Sequence, residues 1–171
     1  MLTLGSDAHA AVAGWDAFAT VAGDVAGALI GLIFVAVSIR IEVISKSAEL
    51  RNRAAQTVGL FTAVLLVAGA IALPDQERWM VGIEMLVIAA LTAMALILLE
   101  RRVRTDNTKR PVSHMLDVIA PRTMTCVLLG VAGVLLLVGS AIGLYLIVLA
   151  TAVAIVGGIA SAWLFLTSIG G

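Results

Sequence analysis

The chain has 171 residues, of which 61% are hydrophobic and 13% charged, with a mean hydropathy of +1.12. Soluble domains run at about 45–50% apolar and about 25% charged, so this composition excludes an ordinary soluble enzyme, a disordered chain and a nucleic-acid binder. The 11 basic and 11 acidic side chains cancel, and a single cysteine, Cys126, excludes a disulfide framework and a Cys-rich metal site.

A helix needs roughly 20 mainly apolar residues to cross about 30 Å of hydrocarbon. In chain order, such spans are predicted at about 15–40, 54–73, 79–99, 123–140 and 144–167. They are continuous apolar runs without the alternation of a transmembrane β-barrel. The fold expected is therefore all-α: one transmembrane domain over residues 1–171, built as an integral membrane bundle of five transmembrane helices. Pro74, Pro111 and Pro121 fall outside the spans, where a missing N–H does little harm. The links at 74–78 and around 140–143 are short, so the second and third spans, and the fourth and fifth, should form antiparallel hairpins. Residues 63–70 resemble residues 133–140, as a duplicated hairpin would, or as two Leu/Val/Ala/Gly helices do by chance.

Charge sets the direction. Arg40, Lys46, Arg51 and Arg53 follow the first span. Arg101, Arg102, Arg104, Lys109, Arg110 and Arg122 follow the third, in a basic loop at 100–122. Only Arg78 lies on the opposite side. Basic loops stay cytoplasmic, so the N-terminus is expected outside and the C-terminus inside. Trp15, Trp79 and Tyr145 would form the outer aromatic belt, and Trp163 and Phe165 the inner one. The first 14 residues carry no positive n-region, so they read as a translocated tail rather than a cleaved signal peptide. The basic loop suits anionic lipid headgroups, with a short interfacial helix at 113–119. Glu42–Lys46 and Glu49–Arg53 have the spacing of favourable helical ion pairs, as if the first helix ran on into the cytoplasm. His9 and His114 have no metal-ligand company.

Two features could carry a function. Gly23, Gly27 and Gly31 form a GxxxGxxxG face, and Ala150, Ala154 and Gly158 form a second small-residue stripe. Such faces let helices approach closely in lipid, within one chain or between copies. Asp24 lies roughly 13 Å below Trp15, and Glu84 roughly 7–8 Å below Trp79, at 1.5 Å per residue. Acids at membrane depth are costly and point to ion or proton handling, or to interhelical hydrogen bonds. Asp16 and Thr20 share a helical face with Asp24, so an outward-facing acidic vestibule is expected. No Walker loop, HExxH or GxSxG occurs, so neither an enzyme nor a cofactor is expected.

The stretch Ala22–Ile39 resembles the first helix of small bacterial polytopic membrane proteins with a GALxGLxFVAVSI-type pattern. Some of these are described as modulators of the membrane-anchored protease FtsH. The resemblance covers one helix and implies a multi-pass protein of a bacterial plasma membrane with a membrane-protein partner. The residues themselves favour a non-enzymatic accessory or scaffold protein, acting through helix packing or as a homo-oligomer. The alternative is an oligomeric channel or cation pathway lined by the first helix, with Asp24 as its key acid.

Overall fold

The computed structural model describes residues 14–104 and 112–169. They form six helices: α1 (Asp16–Ile39), α2 (Ile41–Lys46), α3 (Ala48–Ile71), α4 (Arg78–Arg104), α5 (Val112–Leu137) and α6 (Ile142–Ile169). No strand occurs among the described residues. Helices α3, α4, α5 and α6 close a ring in which each packs on the next and α6 returns to α3. Helix α1 lies outside this ring, against α3, and only brushes α6.

Four helical stretches are long and apolar enough to cross a membrane: Asp16–Ile39, Leu50–Ile71, Arg78–Leu99 and Ile142–Trp163. The apolar part of α5, Arg122–Leu137, is shorter, about 24 Å at 1.5 Å per residue. The surface suits lipid. Leu91, Val127 and Val134 project outward at mid-helix, each more than half exposed, while Gln56, Thr57, Thr92, Thr125 and Thr151 are buried. A water-soluble protein hides the first kind and exposes the second.

Two hairpin turns define one end of the ring. The α5–α6 turn closes α5 with Gly139 at φ 85°. Gly139 N–H donates to Leu136 O at 3.0 Å, and Ser140 N–H donates to Leu135 O at 2.9 Å. This is a Schellman closure, which places a left-handed residue just past the helix. The α3–α4 turn uses Asp75 at φ 55°, a conformation that aspartate tolerates better than most side chains. Trp15 meets Tyr145 edge to face at a centroid distance of 5.6 Å, which puts the start of α1 beside the start of α6 at this same end.

The structure differs from the sequence reading in three places. The first helix does not run on through the basic segment as one helix: it stops at Ile39, and α2 stops at Lys46. Ser47 then caps α3, its Oγ accepting from Leu50 N–H at 3.4 Å, and Arg51 donates back to Ser45 O at 2.9 Å. A serine hydroxyl that satisfies a free backbone N–H favours a new helix start over continuation. The loop at 100–122 is largely helical, because α4 extends to Arg104 and α5 begins at Val112. Pro121 thus sits inside α5, where it removes one backbone hydrogen bond. The N-terminal tail with His9, and Lys109 and Arg110, lie outside the described residues, as do the side chains of His114, the 113–119 segment and Phe165.

Candidate functional site

On α1 the packed and open faces are opposite one another. Ala19, Ala22 and Ala26 are buried against α3. At 100° per residue, Asp24 stands on the far side of the helix from them. Asp16, Thr20, Asp24, Gly27, Gly31 and Ser38 fall on one exposed stripe about 80° wide, with Asp24 at one edge of it. Within the most apolar stretch of α1, 11% of residues are buried, against 56% for α3.

The polar members of this stripe are not joined to each other. Thr20 Oγ1 donates to Asp16 O at 2.9 Å, and Ser38 Oγ donates to Phe34 O at 2.8 Å. Both hydroxyls thereby hide their donors in the helix's own backbone, which costs little in lipid. Asp24 has no partner among the described residues.

The glycine face divides. A methyl group on Gly23 would make an ordinary contact at 3.5 Å with Ala68 of α3, whereas around Gly27 and Gly31 there is open space. The second stripe is interior. Ala150 and Ala154 are fully buried, and a side chain at Gly158 would collide with the Phe61 ring of α3. The closest approaches between helix backbones lie at glycines outside either stripe. A Cβ on Gly82 would meet Gly133 O at 3.0 Å, and one on Gly133 would meet Gly82 O at 2.9 Å. A Cβ on Gly143 would meet Ala132 O at 2.8 Å. Neither Gly82 nor Gly133 has a glycine four residues away, so spacing gives no signal for that pair, whereas Gly143 follows Gly139 by four.

Glu84 is elsewhere. It is half-buried on α4, near the α3–α4 turn, and accepts a hydrogen bond from Gln76 Nε2 at 2.8 Å. Gln76 itself is buried. Beside it, Arg78 Nη1 donates to Gly139 O at 3.2 Å and so links the two hairpin turns. Trp79 Nε1 donates to Glu77 on the rim.

The expected acidic vestibule is therefore not assembled within one chain. Asp16, Thr20 and Asp24 occupy the outer face of α1, while Glu84 belongs to the α3–α4 hairpin; α1 and α4 are separated by α3. Periodicity placed the first three on one face correctly, but it could not tell that this face turns away from the bundle. No group of three or more His, Cys, Asp or Glu side chains able to hold a metal occurs among the described residues. Comparison with protein-family models, characterised proteins and solved structures finds no match.

Proposed function

We propose that this chain is a non-enzymatic multi-pass membrane protein that works by helix packing, as an accessory or scaffold protein assembled from several copies. In this reading α5 is the fifth crossing, the N-terminus is outside and the C-terminus in the cytoplasm of a bacterial cell. The basic residues at the inner end then meet anionic headgroups.

One observation carries the proposal. The exposed stripe of α1 combines an ionisable group with two glycines that no described side chain covers. A carboxylate at this depth costs about 2.5–3.5 kcal/mol on insertion scales. Open glycines at i, i+4 offer the flat surface on which helices associate in lipid. A second copy presenting the same stripe covers both. The test is the oligomeric state of the full chain in lipid nanodiscs by native mass spectrometry. Wild type should be multimeric, and the double variant Gly27→Leu/Gly31→Leu monomeric. A monomeric wild type at every protein-to-lipid ratio contradicts the proposal.

The alignment of Asp16, Thr20 and Asp24 on that stripe favours a second reading, a cation pathway. If several copies turn these stripes toward a common axis, the acids line it. Liposome flux falling at least tenfold in Asp24→Asn, with assembly intact, would support this pathway. Equal flux in wild type and variant would remove it.

A further inference from the structure

The outer turn between α3 and α4 holds a polar pair that the helix-packing reading does not use. Gln76 is nine-tenths buried. Its Nε2 donates to Glu84 Oε1 at 2.8 Å, yet its own Oε1 and the Oε2 of Glu84 are both buried without a hydrogen-bond partner. The two orphan oxygens belong to a carboxamide and a carboxyl already joined at their other atoms, so covalent geometry keeps them in one small neighbourhood. Buried acceptors left without a donor cost about 1–3 kcal/mol each, more when charged. Two at one place point to a missing electropositive group.

No described side chain donates to either oxygen. Arg78 is the only basic residue at this end among the described residues; its Nη1 is committed to Gly139 O across the hairpin turns, and its buried Nε, itself without a partner, is bonded to neither oxygen. The neighbouring acids, Asp75 and Glu77, are exposed on the same turn. The outer halves of α3 and α5, which flank α4, carry no charged residue, and Ser140 is the only hydroxyl in the α5–α6 turn. Glu84 also lies beyond the first turn of α4, where the positive end of the helix dipole has faded.

We propose that Gln76 and Glu84 form a binding site for one alkali-metal cation at the outer end of the bundle. The carboxylate supplies the charge, and the carboxamide oxygen a second hard ligand of the kind such ions take. One carboxylate matches a monovalent ion. A divalent ion would leave an uncompensated charge in a poorly solvated place. The bound ion would tie the α3–α4 turn to α4 and so rigidify the outer cap.

The test uses the full chain in nanodiscs, with thermal unfolding followed by tryptophan fluorescence. Sodium, and separately potassium, replaces choline at constant ionic strength. At ten times the dissociation constant, the wild-type midpoint should rise by about 3–6 °C. Glu84→Gln keeps an acceptor for the Gln76 amide and should show no such rise, while Asp24→Asn should keep it. If Glu84→Gln fails to fold, Gln76→Met takes its place and should weaken the apparent affinity at least tenfold. Two results would overturn the site. One is a wild-type response no larger than that of Glu84→Gln or Gln76→Met. The other is an infrared band of a protonated carboxyl, lost in Glu84→Gln, that persists in saturating sodium.

Discussion

Helix α1 and the α3–α6 ring are built from the same materials and use them in opposite ways. Both contain glycines and an acid inside an apolar run. In the ring, Gly82, Gly133, Gly143 and Gly158 are sites where another helix or a buried ring already occupies the space of a side chain. Its acid, Glu84, is held by Gln76. On α1, Gly27 and Gly31 face open space and Asp24 is exposed. The contrast teaches that a small-residue pattern in a membrane helix does not say where the helix packs. Apolar contact with lipid is nearly equivalent to apolar contact with protein, so the decision rests on close packing and on where the polar groups can be satisfied.

The contrast can be broken first at Gly133. A leucine there must displace Leu86 and press against Gly82 O. Overpacking of this kind costs about 1–3 kcal/mol, and backbone contact places Gly133→Leu at or above the top of that range. Reversible unfolding in mixed micelles would measure it. Glu84→Leu should come next, at about 1–3 kcal/mol, because it leaves the buried Gln76 amide without its acceptor. The same unfolding assay applies, with Glu84→Gln as the milder comparison. Ser47→Ala removes the α3 cap and should cost about 1 kcal/mol, visible as faster amide exchange in the first turn of α3. Smallest of all is Gly27→Ala, expected within about 0.5 kcal/mol for the single chain, since nothing surrounds that position. A large loss there would show that α1 packs by its glycine face after all.

Much of this architecture is legible in the sequence, because bilayer thickness imposes a length that apolar runs must match. The two hairpins follow from links too short for any other arrangement, and Gly139 and Asp75 sit where those turns need left-handed backbone. Other features depend on tertiary placement. Gln76 reads as a solvated turn residue until the turn is seen folded down beside Glu84. Gly82 and Gly133 carry meaning only as a pair from two helices. The breaks at Arg40 and Ser47 are not legible in the ion-pair spacing, because Glu42–Lys46 lies within α2 and Glu49–Arg53 within α3, and a pair inside one helix does not say whether the next continues it. Pro121 reads as a boundary because proline usually ends a helix, whereas α5 runs through it.

The outward turn of the Asp24 stripe is the claim on which the functional reading rests, and cysteine cross-linking in intact membranes tests it most directly. In a Cys126→Ala background, Gly27→Cys and Gly31→Cys should each give a disulfide-linked dimer on mild oxidation, while Ala22→Cys and Ala26→Cys, buried against α3, should not. Dimers from the buried pair, with none from positions 27 and 31, would contradict the account.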